Sequence, residues 1–242
     1  MKALIGGLGF FSRIPTGSDA ESYESLRKNL WILPIVGVIL GTIIAIIAYL
    51  LSYIDGIVIG VLMVVIYLAI EGINHIDGLA DFADSIFAPE HKKFDALKDL
   101  KTGVGGVTAV CLYLLALSVS LSNLNGIELI LAIINSQMMA KFGMLLLLTT
   151  TKPLWNGLAS NIMEYANKAD LYKGFSVIIA ISAIFSILCL KVIVTNLALL
   201  AICIFYRTFV LRKYGGINGD IVGALNCILF ASGLSIFNIL NY

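Results

Sequence analysis

Glu71-Gly72-Ile73-Asn74-His75-Ile76-Asp77-Gly78-Leu79-Ala80-Asp81-Phe82-Ala83-Asp84 follows directly on a long apolar run, and its reading decides the architecture. The chain is 60% hydrophobic and only 13% charged, so three aspartates within eight positions stand out. Asp77, Asp81 and Asp84 are spaced i, i+4 and i+7, which on a helix sets all three on one face. Like charges there repel unless a cation lies between them or their pKa values rise. The donors are all oxygen, which suits a hard divalent ion. Mg²⁺ takes a few carboxylates and completes its shell with water and substrate phosphates. The stretch therefore points to an enzyme acting on phosphate at a membrane surface. The competing reading is an amphipathic surface helix with solvated aspartates. Gly78 speaks against it, because glycine costs roughly 1 kcal/mol in a helix relative to alanine, and it lets a substrate or another backbone come close.

Working outward, a mean hydropathy of +0.98 and long apolar runs identify an all-α, polytopic helical membrane protein. The 242 residues form a single integral-membrane domain, 1–242. About seven transmembrane helices are expected, near 31–53, 56–73, 104–122, 126–150, 174–190, 192–211 and 220–240. No cleavable signal peptide is expected, since the apolar stretch Ala3–Phe11 is short and leads into Ser12-Arg13-Ile14-Pro15. Lys2, Arg13, Arg27, Lys28, Lys92, Lys93, Lys98, Lys101, Lys152, Lys168, Lys173, Arg207, Arg212 and Lys213 all fall on one side if the spans alternate. The connections near Asp55, Asn123 and Thr195 hold at most Lys191. By the positive-inside rule the long loops are cytoplasmic, so the acidic cluster faces the cytoplasm from the cell membrane. A net charge of +1 implies no nucleic-acid partner. Cys111, Cys189, Cys203 and Cys227 are isolated in apolar spans and read as packing residues.

Two further constellations lie on the same side. Lys98-Asp99-Leu100-Lys101-Thr102-Gly103-Val104-Gly105-Gly106 opens the third span, and its glycines and lysines suit an anion. Its plainer reading is a tight turn with topogenic charge. Arg212-Lys213-Tyr214-Gly215-Gly216-Ile217-Asn218-Gly219-Asp220-Ile221-Val222-Gly223-Ala224 opens the last span, with Asp220 either a helix cap or a functional charge. Three distant polar stretches on one membrane face favour one composite site. His75 reads as a proton shuttle, a phosphate contact or an interfacial histidine, and Glu71, ending an apolar span, needs a partner or a role. Arg13 suits an anionic group or lipid headgroups. Lys141 lies within snorkelling reach of the cytoplasmic side.

Taken in order, these stretches resemble the cobalamin synthase family, adenosylcobinamide-GDP ribazoletransferases. Phe10-Phe11-Ser12-Arg13-Ile14-Pro15 is similar to that family's opening, and Leu33-Pro34-Ile35-Val36-Gly37-Val38-Ile39-Leu40-Gly41 to its first span. His75-Ile76-Asp77-Gly78-Leu79-Ala80-Asp81-Phe82-Ala83-Asp84 matches its signature. Lys98-Asp99-Leu100-Lys101-Thr102-Gly103 carries lysines where the family usually has arginines. Ser85 replaces a usual glycine, Asn218 a usual threonine and Glu71 a small or hydroxylated residue, and the region 136–173 matches poorly.

The resemblance implies that α-ribazole, or its 5′-phosphate, attacks adenosylcobinamide-GDP and expels GMP, leaving adenosylcobalamin or its phosphate. It implies a Mg²⁺ on Asp77, Asp81 and Asp84, with one carboxylate or His75 taking the proton. Arg13, Lys98, Asp99, Lys101, Gly103, Asn218, Gly219 and Asp220 would then contact substrate. Membrane lipid and a second copy in a homo-oligomer are the other expected partners.

Rival readings are a CDP-alcohol phosphotransferase, a prenyltransferase and a transporter. The first has an arginine where this chain has Asp81, the second needs a second aspartate-rich motif, and the third needs charges near the bilayer midplane.

Overall fold

Residues 1–54, 56–99 and 101–240 are described by a computed structural model; Asp55, Leu100 and Tyr242 lie outside the described residues. The helices run α1 (Lys2–Phe11), α2 (Ala20–Arg27), α3 (Leu33–Leu50), α4 (Ile57–Glu71), α5 (Asn74–Phe87), α6 (Lys93–Ala96), α7 (Val104–Asn123), α8 (Gly126–Thr150), α9 (Leu158–Met163), α10 (Lys168–Leu188), α11 (Lys191–Lys213) and α12 (Gly219–Ile239). Among the described residues six spans are long and apolar enough to cross a bilayer, or seven if α4 and α5 count as one bent span. The chain is a polytopic helical membrane protein, as its composition requires.

Differences from the expected spans have local causes. The second span ends at Glu71, where Gly72 at φ +83° terminates the helix and α5 departs at 101° from α4. The fifth begins at Lys168 rather than 174, because the Asn167 side chain accepts a hydrogen bond from the Asp170 N–H and caps the helix early. Thr195, expected in a connection, lies buried inside α11; the turn falls at residues 189–190. Cys203 and Cys227 pack in the core, whereas Cys111 sits on an exposed face of α7.

α8 is the central post, buried over most of its length and flanked by α3 and α12. Gly37 and Gly41 make the α3 contact possible. A Cβ on Gly37 would stand 2.5 Å from the Gln137 carbonyl oxygen, and one on Gly41 2.8 Å from Ile134 Cα. Helices in a membrane gain no hydrophobic drive from one another and rely on this close backbone packing. α10 and α11 lie outside that post and turn Ile179, Ile184, Leu197 and Phe205 outward.

Gly37→Leu should force α3 off α8 and lower stability by about 1–3 kcal/mol or more, read as a fall in the thermal midpoint of detergent-solubilised protein. Val38→Leu, one position along and half-buried, should leave the midpoint nearly unchanged.

Candidate active site

α5 draws the three sequence constellations together at one end of the bundle. At Gly78 it crosses the start of α12 so closely that a Cβ would lie 2.8 Å from Asp220 Cα. Further along, Asp84 grips the start of α7: its Oδ2 accepts from the Gly103 N–H at 2.6 Å and its Oδ1 from the Gly106 N–H at 2.8 Å. Helix starts leave N–H groups without partners and carry partial positive charge, so a carboxylate there is doubly favoured. Lys213 Nζ donates to the Ile86 carbonyl at 3.0 Å, tying the end of α5 to the end of α11. Leu154 N–H to the Ile217 carbonyl, 2.8 Å, and Ile217 N–H to the Lys152 carbonyl, 2.9 Å, hold the loop before α12 against the segment after α8.

The carboxylates divide into two kinds. Asp84 spends both oxygens on backbone amides, and the Gly103 amide is thereby occupied rather than open to a phosphate. Asp77 is exposed, while Asp81 and Asp220 are half-buried. Among the described residues no ion pair reaches any of them: every salt bridge there uses a glutamate. α5 lies turned out of line with α4, and there burial, then the charges of Asp220, Asp77, Asp84 and Asp99, push the Asp81 carboxyl up to about 6. No three of these groups close on a single point among the described residues. Asp220 is not the cap of α12. That role belongs to Asn218, whose Oδ1 accepts from the Ile221 N–H at 3.0 Å while its Nδ2 donates to Asp220 Oδ2 at 2.5 Å. Asn218 therefore aims Asp220 as well as starting the helix.

A cavity of about 450 Å³ opens beside this cluster. Asn74, His75, Asp77, Gly219 and Asp220 line it together with Glu71 and an apolar set from α1, α8, α9 and α12. Behind it lies a buried polar group that the sequence alone did not assemble. Lys141, fully buried in α8, forms an ion pair with Glu71, donates to Asn226 Oδ1 at 2.9 Å and faces His75 Nε2 at 3.5 Å. An ammonium opposite Nε2 makes that nitrogen an acceptor and leaves the ring proton on Nδ1. Lys141 does not snorkel, and Glu71 has the partner it required.

The remaining candidates ring the site at greater remove. Lys98 Nζ lies 4.5 Å from the centre of the Trp155 ring, Asp99 Oδ1 accepts from the exposed Lys101 N–H at 3.1 Å, and the exposed Arg13 is fixed by its backbone N–H on the Ile70 carbonyl at 2.7 Å.

A family model described as cobalamin-5-phosphate synthase matches residues 3–237. The chain belongs to that family. Two Archaeoglobus fulgidus proteins named adenosylcobinamide-GDP ribazoletransferase are similar to it: one 37% identical over 99% of this chain and 98% of its own, the other 40% identical over 96% and 94%. A Thermococcus onnurineus protein of the same name is 33% identical over 90% of this chain and 89% of its own. No solved structure matches.

Membership gives the departures from the family pattern a structural setting. Ser85, in place of a glycine, is buried with its hydroxyl 2.7 Å from the Tyr214 hydroxyl and donating to the Phe82 carbonyl at 2.7 Å. Asn218, in place of threonine, keeps the capping oxygen that threonine would supply. Glu71 is the most demanding of the three, because its charge is buried and answered by Lys141.

Lys141→Met should destabilise strongly, by about 3–5 kcal/mol, because it strands the Glu71 charge. The double change Lys141→Met with Glu71→Leu should recover most of the loss in thermal unfolding. No recovery would mean the two side chains are not coupled.

Proposed function

We propose that the chain joins adenosylcobinamide-GDP to α-ribazole, or to α-ribazole 5′-phosphate, releasing GMP and forming adenosylcobalamin or its 5′-phosphate. The single observation that carries this reading is the meeting of Asp77 and Asp220 at the mouth of a nucleoside-sized cavity, with Asp81 in the field of both and no ion pair to any of the three among the described residues. Family membership and the relatives' names supply the reaction. A ribose hydroxyl of the acceptor bonds to the phosphorus nearest the corrinoid, the bridging P–O bond breaks, and GMP leaves with its own phosphate.

The donor set fits Mg²⁺. The available ligands are oxygens, their charges are unbalanced, and an ion that takes one or two carboxylates plus phosphates needs no closed three-residue cage. Asp77 and Asp81, with Asp220 opposite, would hold it. Asp84 reaches it only by sharing the oxygens that cap α7. Bound there, the ion supplies charge neutralisation on the diphosphate and on departing GMP. The chain does the rest. Asn218 holds Asp220 in place, and Gly219 leaves open space above its Cα for a phosphate or ribose to approach. Exposed Lys98 and Lys101 offer charge to the phosphates. A carboxylate, Asp77 or Asp220, takes the hydroxyl proton; the His75 Nε2 lone pair is already turned to Lys141.

The site faces the cytoplasm in this reading. Lys98, Lys101, Lys152, Arg212 and Lys213 flank the end where α5 crosses α12, as the positive-inside rule asks of a cytoplasmic face.

Asp77→Asn and Asp81→Asn should each cut GMP release by about a hundredfold or more while the protein still folds, as loss of an electrostatic contact to the transition state does. A chelator should do the same to the unaltered protein. Full activity of both variants in metal-free buffer would remove the metal. Asp220→Asn should depress turnover comparably with little change in thermal midpoint, because Asn218 retains the cap.

Topology has its own check. Ser85 and Asn218 are buried and poor labelling sites, so cysteines belong at exposed Lys101 and Arg212 in a background lacking the exposed Cys111. Both should react only with reagent supplied from the cytoplasmic side. Labelling from opposite sides would break the composite site.

A further inference from the structure

We propose that the 450 Å³ cavity seats the aromatic base of the acceptor, and that Met144, Leu148 and Ile162 decide which base is accepted. The inference rests on the reaction proposed above and assigns one of its two substrates to a place.

Polarity across the cavity is graded. Phe10, Phe11, Met144, Leu148, Leu158 and Ile162 form an apolar wall, with Phe11, Met144, Leu148 and Ile162 almost wholly buried and Leu158 exposed at its edge. The exposed Asp77 and half-buried Asp220 mark the opposite, charged mouth. Glu71, 5% exposed, also lines it, paired with Lys141 and with the Tyr67 hydroxyl beside its carboxylate.

Only one part of the two substrates suits this gradient. The corrin macrocycle is too broad for a pocket of nucleoside size. Seated with its base inward, guanine would bury a polar edge against Met144, Leu148 and Ile162, which offer it no hydrogen bonds, at about 1–3 kcal/mol for each unmet group. The dimethyl-substituted benzimidazole of α-ribazole carries no N–H donor, so an apolar wall costs it little. With that base inward, the ribose hydroxyls meet the Asp77 and Asp220 carboxylates at the mouth, and the reacting hydroxyl lies where the diphosphate must arrive. An exocyclic amine on a purine riboside would be stranded on the apolar wall, so the same side chains discriminate between bases.

The first test needs no turnover. Leu158→Cys, at the exposed rim, is alkylated with a maleimide in a background lacking Cys111, and modification at 158 is followed by mass spectrometry. Saturating α-ribazole alone should slow modification about fivefold or more and saturating GMP should not, as expected where a site is nearly filled. Protection by GMP and not by α-ribazole would overturn the assignment.

The second test is kinetic. Ile162→Trp, which fills the wall, should raise the KM for α-ribazole about tenfold, equivalent to about 1.4 kcal/mol, with the KM for adenosylcobinamide-GDP unchanged. A rise confined to the KM of adenosylcobinamide-GDP would put guanine in the cavity and overturn the proposal. Leu148→Ala should narrow the preference for α-ribazole over an adenine riboside, and an unchanged preference would count against the wall as selector. Failure of the underlying reaction looks different: the unaltered protein, given Mg²⁺ and both substrates, would release no GMP.

Discussion

The crossing of α5 over the start of α12 at Gly78 is the contact on which the site depends. With no side chain there, the helix backbone comes down on Asp220 and brings Asp77 and Asp81 into its field. Any larger residue would need the two helices to separate, since its Cβ would stand 2.8 Å from backbone atoms that cannot swing aside. The approach is electrostatically expensive. At an effective dielectric near 20, two unit charges about 6 Å apart repel by about 3 kcal/mol. The fold sets these carboxylates where Asp77 is exposed and Asp81 and Asp220 are half-buried, rather than along the buried length of α8.

Charge is handled in three ways within this small region. Asp84 is answered by the amides at the start of α7, which makes it a strut between two helices. Glu71 is answered by Lys141, one charge for one charge, inside the core. Asp77, Asp81 and Asp220 are answered by nothing among the described ion pairs, and Asn218 even fixes Asp220 in position through the amide of its own side chain. Residues that are held but not neutralised are what a transferable charge, whether metal-borne or carried by a substrate, requires. The separation also explains why spacing on one helix face is a poor guide to equality of role.

Much of this was legible in the sequence. The apolar runs marked the spans to within a few residues, and the acidic stretch was correctly placed on a helix following a span. The gathering of the three constellations at one end followed from the alternation of basic loops. What escaped was set by helix rotation and packing between distant segments. The i, i+4, i+7 rule put Asp84 with its neighbours, and its charge does act on Asp81, yet both its oxygens are taken by amides at the start of α7. Asp220 was the cap candidate in the sequence, and the cap falls instead to Asn218, whose Oδ1 accepts from the Ile221 N–H. Lys141 and Glu71 are 70 positions apart in the sequence. Glu71 alone called for a partner or a role while Lys141 read as snorkelling, and their pairing depends on how α4 and α8 are brought together.

The buried pair also bears on how the cavity works. An ion pair in an apolar core adds little net stability over a well-packed hydrophobic pair, so its presence is better explained by what it fixes than by what it contributes. Here it fixes the Glu71 carboxylate on Lys141, with Lys141 also bound to Asn226 and facing His75. The polar side of the cavity is thereby immobile and its opposite wall is apolar. A nucleoside is itself divided, with a flat, largely apolar base and a hydroxyl-rich sugar. Between two such walls it has one favourable orientation, and that orientation turns the sugar toward Asp77 and Asp220. Placing a reacting hydroxyl before the second substrate arrives removes orientational freedom from the transfer step, a contribution to rate that a rigid site makes beside its electrostatics.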